Sequence, residues 1–125
     1  MFRCALLVTS LALVAAAASA QTRNFPATAL RGDFTVSATP EVVLNRKPAR
    51  LAPGARIRGA DNMLLLPGTI ANQRLLVHYT LDLHGNILDV WVLTPAEAAR
   101  KPWPTSQQEA AAWRFNPDQQ VWSKP

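Results

Sequence analysis

The hydrophobic pattern is clearest between Arg74 and Leu93, where two runs of alternating residues flank a polar turn. One face of an extended chain would carry the apolar side chains Val77, Tyr79, Leu81, Leu83, Leu88, Val90 and Val92. Period-two alternation is typical of half-buried strands. The turn, His84-Gly85-Asn86, contains residues that tolerate the positive φ of a tight turn. The pattern predicts an antiparallel hairpin over residues 74–93 with these seven residues in the core, although a shift in register would exchange the faces.

A continuous apolar run, Met63 to Leu66, precedes this hairpin and ends at Pro67-Gly68. Short apolar runs between turn signals are typical of buried strands. We therefore expect Met63–Leu66 and the hairpin to form a three-stranded meander, which is about the minimum for a stable sheet.

A further strand is predicted over Asp33 to Leu44, where Phe34 and Val36 alternate with polar residues. Pro40 interrupts the pattern, and proline lacks the N–H that a central strand needs. This region is therefore either an edge strand or two short pieces.

The C-terminal third should cover the sheet. Thr94-Pro95-Ala96-Glu97 predicts a capped helix that ends near Arg100, and Thr105 or Ser106 can cap a second helix that runs to Trp113. Four large aromatic residues fall here: Trp103, Trp113, Phe115 and Trp122. They could form an exposed stacking platform for sugar rings, but tryptophan is highly buried on average, so we favour packing over the sheet.

These elements predict an α+β fold, with a small, mainly antiparallel sheet covered by one or two short helices near the C-terminus. Residues 34–125 would form a single small domain. Residues 21–33 lack periodicity and are predicted to be a flexible lead-in.

The first twenty residues predict a secretory signal peptide. Arg3 is followed by an apolar stretch and by the small-residue site Ala18-Ser19-Ala20, so cleavage is expected before Gln21. The apolar stretch is shorter than the ~20 residues that span a bilayer, so we expect no transmembrane anchor after cleavage.

Cleavage changes the composition of the 125-residue chain. Removal of 20 residues leaves 105, takes away Arg3 and the single cysteine, Cys4, and lowers the count of Lys and Arg from 13 to 12 against 8 Asp and Glu. The mature chain then has a net charge of +4 and no thiol, which excludes disulfide and cysteine chemistry. We expect it to be periplasmic or secreted.

Charge concentrates in one stretch, with no acidic residue between Glu41 and Asp61. Its basic residues are Arg46, Lys47, Arg50, Arg56 and Arg58. Pro53-Gly54 predicts a turn, so the stretch would be a small hairpin or loop. It could bind a phosphate, a lipid headgroup, an acidic glycan or an acidic partner. Charge on a solvated sheet edge is the commoner explanation of such a run.

Catalytic patterns are scarce. A metal site of His78, Asp82 and His84 is disfavoured, because His78 and Asp82 lie four strand residues apart, about 13 Å. His78 is expected to face solvent. No nucleophile elbow, paired carboxylate or phosphate loop occurs, so we expect no cofactor and no nucleic-acid ligand. Arg31-Gly32-Asp33 matches an adhesive tripeptide, but a turn is the simpler interpretation.

The run from Arg74 to Leu93, a helical stretch, and then Trp113-Arg114-Phe115-Asn116-Pro117 resemble the carboxy-terminal domain of TonB-like periplasmic proteins. Gly85 would be the turn glycine. The resemblance covers Arg74 to Pro117 and implies a small sheet-and-helix domain that contacts other envelope proteins, without implying energy transduction.

The sequence thus favours a non-enzymatic exported protein that binds or scaffolds an envelope protein or an anionic surface through the basic stretch. The alternative is a small periplasmic hydrolase or glycan-processing enzyme that uses His78 and a carboxylate.

Overall fold

The computed structural model of the protein describes residues 23–125. The predicted signal peptide and its cleavage site before Gln21 lie outside the described residues. Within residues 23–125, every helix is too short or too polar to cross a membrane.

Six strands form one sheet that closes on itself. They are β1 (Leu30–Ala38), β2 (Glu41–Leu44), β3 (Lys47–Arg58), β4 (Leu64–Leu65), β5 (Leu75–Leu81) and β6 (Ile87–Val92). The strand order is β2-β1-β5-β6-β3-β4, and β2 also pairs with β3. This extra pairing closes a five-stranded barrel that leaves only β4 outside. The β3–β6 ladder is parallel, and the other ladders of the barrel are antiparallel.

The predicted α+β class is therefore wrong. Strands hold 46% of the described structure and helices 14%, and the sheet is a closed barrel rather than an open layer under helices. The error arises at β3. Closure of the barrel depends on this long strand, whereas the sequence predicts a turn at Pro53-Gly54 that would divide it.

The turn signal Pro53-Gly54 marks a bulge, not the end of a strand. Leu51 pairs with Ile87 and Arg56 pairs with Asp89, so β3 advances five residues while β6 advances two. Such a bulge bends a strand and removes local ladder bonds, which accommodates a proline and a glycine with φ of 78°. The bent strand pairs with β2 over residues 47–50, and with β6 at Leu51 and again beyond the bulge at residues 56–58. The predicted hairpin or loop is wrong.

The region around Pro40 was predicted to be either an edge strand or two short pieces, and the β1–β2 hairpin confirms the second alternative. Val36 pairs with Val42, and Thr39-Pro40 forms the turn. At the other end of β2, Asn45 and Arg46 both have positive φ and make the tight turn into β3.

The predicted hairpin of residues 74–93 is confirmed as β5 and β6, with Val77 opposite Val92 and Tyr79 opposite Val90. The next pair is Leu81 with Ile87, so β6 contains one extra residue. This irregularity turns Ile87 inward in place of Leu88.

The predicted core positions of the hairpin divide into three groups. Val77, Tyr79 and Val90 are buried, while Leu81, Leu88 and Val92 are half-buried. Leu83 was assigned to the core wrongly, since it lies in the turn and is 102% exposed.

The predicted buried strand at Met63–Leu66 is also wrong. Only Leu64–Leu65 is a strand, and it pairs with β3 rather than with β5, so no meander forms. Leu65 packs on the barrel core, whereas Met63, Leu64 and Leu66 are each at least 66% exposed. A 3-10 helix, Pro67–Ile70, then connects to the hairpin.

The C-terminal layer, residues 94–125, packs outside the barrel. It contains α1 (Pro95–Ala98), α2 (Gln107–Ala112), β7 (Arg114–Asn116) and β8 (Val121–Ser123). The Thr94–Glu97 capping box is present, and the Ser106 hydroxyl accepts a hydrogen bond from the Glu109 N–H. Both predicted helices are thereby confirmed, although each is short.

Two hydrophobic cores result. The barrel interior is centred on Phe34, Ile87, Val77 and Val90. The second core, the aromatic cluster, consists of Phe25, Ala29, Trp103 and Trp122, and it lies between the barrel and the C-terminal layer. The predicted packing of the tryptophans is thus correct for Trp103 and Trp122, which are 5% and 4% exposed. The fold begins earlier than the predicted residue 34, because Phe25 and Leu30 are buried.

A candidate binding groove and a buried polar network

A groove of about 630 Å³ lies on the outer face of β2 and β3. The turn between β5 and β6 forms one side of it through Gly85 and Asn86. The groove contains one predicted site residue, Arg50, together with Glu41 and the apolar side chains of Val43 and Pro48. We refer to it as the β2–β3 groove.

Arg50 lines both this groove and the cavity next to it. A second cavity of about 290 Å³ adjoins the groove and is lined by Arg50 and Asn86 as well. Strand alternation explains the placement, because Leu51 turns into the barrel core and its neighbour Arg50 turns outward. Arg50 is exposed, and no carboxylate of the described residues lies within 4 Å of its guanidinium.

Glu41 lies directly opposite Arg50 in the β2–β3 register, although the two charges are not in contact. The groove therefore presents both a cation and an anion above apolar side chains. This combination suits a polypeptide, which can offer both charges, better than a uniformly anionic surface.

The five predicted basic residues do not form one cluster. Arg46 and Lys47 lie at the β2–β3 turn, where Arg46 shares a cavity of about 140 Å³ with Asp33 and Arg74. Arg56 and Arg58 lie beyond the bulge of β3, opposite Asp89 and Trp91. A straight strand would separate Arg50 from Arg58 by about 26 Å. The basic residues are thus spread from the β2–β3 turn to the end of β3, and only Arg50 lines the β2–β3 groove.

His78 was predicted to face solvent, and this is wrong, since its exposed fraction is 0%. The aromatic cluster covers this face of β5. The Trp103 ring stacks on the imidazole with centroids 4.1 Å apart, and Phe25 meets it edge-on at 4.4 Å. The alternation of β5 could not predict the burial of His78, because the residues that cover it lie far away in the sequence.

Burial also changes the acid–base chemistry of His78. Removal from water, and then the nearby cations Arg31, Arg23 and Arg100, together lower its pKa to about 3. Its Nε2 accepts a hydrogen bond from Nε of Arg31 at 3.2 Å. A neutral, sealed imidazole cannot reach a substrate proton, so a general-base role for His78 has no geometric basis.

Arg31 connects β1 to the C-terminal layer. It is 7% exposed and donates to the carbonyl oxygens of Glu97, Ala98 and Arg100, at the C-terminal end of α1. A guanidinium satisfies such free carbonyls and the negative end of the helix well. Arg31-Gly32-Asp33 lies inside β1, so the predicted turn is wrong, and the burial of Arg31 makes the tripeptide inaccessible for adhesion.

A buried ion pair joins the N-terminal segment to this network. Arg23 donates from Nε and Nη2 to the two carboxylate oxygens of Glu97, at 2.9 and 2.6 Å, and also to the carbonyls of Gly59 and Val92. Burial opposes ionisation of Glu97, but hydrogen bonds from Arg23 and Thr94 outweigh it and lower its pKa. Sequence reasoning identified Glu97 only as a cap and placed Arg23 in a flexible lead-in.

The residues of the disfavoured metal site lie apart. His78 is in the aromatic cluster, whereas Asp82 accepts hydrogen bonds from the backbone N–H groups of His84 and Asn86 within the exposed turn. Across residues 23–125, no three His, Cys, Asp or Glu side chains are grouped to hold a metal ion.

Comparisons with protein-family models, with curated proteins and with solved structures gave no match to the chain. The resemblance of Arg74 to Pro117 to TonB carboxy-terminal domains therefore stays a prediction.

Proposed function

We propose that this protein is a non-catalytic binding protein of the cell envelope, and that the β2–β3 groove recognises a charged segment of a partner protein through Arg50. The observation that carries the proposal is the position of Arg50, exposed between two adjoining cavities and free of a carboxylate within residues 23–125. The proposed export rests on the N-terminal sequence pattern alone.

The architecture supports this location. Small five-stranded Greek-key barrels such as the OB-fold bind oligonucleotides and oligosaccharides on the face of their second and third strands and on the adjacent loops. Here β2, β3 and the β5–β6 turn surround the groove. Fold alone does not define a ligand. The choice of a polypeptide therefore rests on the opposed charges of Arg50 and Glu41 and on the apolar side chain of Val43 in the same groove.

The rival function, a hydrolase that uses His78, loses its main support because that side chain is sealed by Trp103 and Phe25. The other histidine, His84, is exposed in the β5–β6 turn, where its backbone N–H donates to Asp82.

The test is a pull-down from envelope extract with three forms of the mature chain: the parent, Arg50→Glu and Arg114→Glu. Arg114 is an exposed arginine on β7, so its variant carries the same charge change away from the groove. A specific partner should be recovered by the parent and by Arg114→Glu, and its recovery should fall with Arg50→Glu and with added salt. Equal recovery of the same proteins by all three baits would refute the proposal.

A further inference from the structure

Three large apolar side chains are exposed in the short segment that contains β4. Met63, Leu64 and Leu66 are 66%, 67% and 75% exposed, whereas Leu65 packs on the barrel core. The other large apolar side chains that are exposed in residues 23–125 lie singly along the chain. Single apolar residues on a surface are ordinary, but a group of them is typical of an interaction site.

The fold holds these side chains in their exposed positions. The carbonyl of Met63 accepts a backbone hydrogen bond from the end of β3 at 2.8 Å, and the carbonyl of Leu66 accepts from the N–H and the hydroxyl of Thr69 at 3.0 and 2.7 Å. Leu66 continues the extended backbone of β4, with φ of −76° and ψ of 133°. Strand alternation therefore places Leu64 and Leu66 on the side opposite to Leu65, and only a shift of register that exposed Leu65 would turn them inward.

Two arginines of β3 lie beside the leucines. Arg58 pairs with Leu64 in the β3–β4 ladder, so their side chains project from the same face of the sheet. Arg56 precedes Arg58 by two residues on the same strand and shares that face. Within residues 23–125, no carboxylate lies within 4 Å of either guanidinium. We refer to Leu64, Leu66, Arg56 and Arg58 as the β4 patch.

Two carboxylates lie near the β4 patch, and each is hydrogen-bonded to a neighbour. Asp89, opposite Arg56 on β6, accepts from the hydroxyl of Thr80 at 3.3 Å, and Asp61 accepts from the backbone N–H of Met63 at 3.0 Å. An arginine side chain is longer than an aspartate, and it can extend its charge beyond its own apolar stem toward a surface. The β4 patch thus offers leucines and guanidinium groups side by side.

We propose that the β4 patch docks the protein on a membrane surface that contains anionic phospholipid. Leu64 and Leu66 enter the headgroup region, and Arg56 and Arg58 bind lipid phosphates, whose oxygens match the guanidinium fork. Amphipathic helices lie on membranes through the same two contributions, buried apolar area and attraction of cations to anionic lipid.

A protein partner suits this patch less well, because leucine is under-represented among the residues that dominate protein–protein binding. The β4 patch also shares no residue with the β2–β3 groove, so the proposal does not depend on the function proposed for that groove.

The first test is co-sedimentation of the mature chain with vesicles of phosphatidylcholine alone and with vesicles of an equal mixture of phosphatidylcholine and phosphatidylglycerol. We expect binding to the mixed vesicles and little to the neutral ones. Leu66→Gln should lower the apparent partition coefficient at least roughly tenfold, and Leu83→Gln, at a leucine that is 102% exposed in the β5–β6 turn, should leave it unchanged. Arg56→Gln should lower it roughly fivefold, and Arg114→Gln on β7 should not.

The second test measures insertion directly. The only cysteine of the chain, Cys4, is lost with the leader, so a cysteine introduced in the mature chain is a unique site for an environment-sensitive dye. Dye on Met63→Cys, which leaves the β4 patch intact, should brighten with the mixed vesicles, whereas dye on Leu83→Cys should not. This measurement decides the proposal even if a variant within the patch fails to fold.

The proposal is overturned if the chain does not bind the mixed vesicles, if it binds neutral vesicles equally well, or if Leu66→Gln binds as Leu83→Gln does. Equal brightening of the two dyes would also overturn it. A dimer in solution that is lost in Leu66→Gln, without vesicle binding, would identify the patch as a contact between copies of the chain and refute docking on lipid.

Discussion

Arg31 donates a hydrogen bond from Nε to Nε2 of His78 at 3.2 Å, inside a layer where both side chains are at least nine-tenths buried. The bond requires a neutral imidazole, because a protonated one has no free acceptor nitrogen. Burial, and then the cation beside it, keep this histidine uncharged at the junction of the barrel with the C-terminal layer. This relationship makes the stability of the fold depend on pH.

The sign of that dependence follows from the pKa of His78, which is lowered from an ordinary value of 6.5 to about 3 in the folded chain. Between these values the unfolded chain binds a proton that the folded chain does not, so stability is fully present above pH 6.5 and is lost as the pH falls toward 3. We expect the melting temperature to decline already between pH 6.5 and 5. Thermal melts followed by circular dichroism would measure this decline.

The two histidines provide a matched control. His78→Gln keeps a neutral acceptor and should flatten the slope between pH 6.5 and 5, even if its melting temperature is lower throughout. His84→Gln changes an exposed residue in the β5–β6 turn and should keep the slope of the parent. A parent slope retained in His78→Gln would show that another group causes the decline.

The second prediction compares two ion pairs of very different burial. Arg23–Glu97 has side chains 10% and 2% exposed, and Arg74–Asp33 has side chains 59% and 40% exposed. Glu97→Gln leaves Arg23 buried without its counter-charge and should lower the free energy of unfolding by about 3 kcal/mol. Asp33→Asn should lower it by less than about 1 kcal/mol. Urea denaturation at pH 7 would give both values, and equal losses would contradict the burial of the first pair.

The third prediction tests the register of the β5–β6 hairpin. Val90 is 0% exposed and Leu83 is 102% exposed, although their sequence pattern suggests the same face. Val90→Asp places an unpaired charge in the barrel core and should destabilise the fold by several kcal/mol. Leu83→Asp should change stability by at most about 0.5 kcal/mol. Similar melting temperatures for the two variants would contradict the placement of Val90 in the core and of Leu83 on the surface.

The fourth prediction concerns the leader. We expect the exported protein to begin at Gln21, because a small-residue site follows the apolar stretch. Intact-mass measurement of periplasmic material would give the mass of residues 21–125. A soluble species that still carries residues 1–20 would contradict the predicted cleavage.

Local sequence signals determined several elements correctly. The alternation and the Gly85-Asn86 turn give the β5–β6 hairpin, because strand period and turn chemistry act over a few residues. The capping box of Thr94 and Glu97 likewise begins α1 where it was predicted. In the candidate site, the sequence picked out Arg50 as a charged residue in a basic stretch.

Only the tertiary structure decided what those elements face. Closure of the barrel depends on the pairing of β2 with β3 and on a bulge at residues 52–55. The Pro53-Gly54 sequence of that bulge is also the signal of a turn, so the sequence pattern alone did not distinguish the two. His78 alternates like a solvent-facing residue, yet Trp103 from the C-terminal layer covers it. Arg50 lies before the bulge and beside the β5–β6 turn that completes its groove, whereas Arg56 lies beyond the bulge and opposite Asp89. Alternation records that a strand has two unlike faces, but burial of either face depends on residues distant in the chain, which only the folded structure brings together.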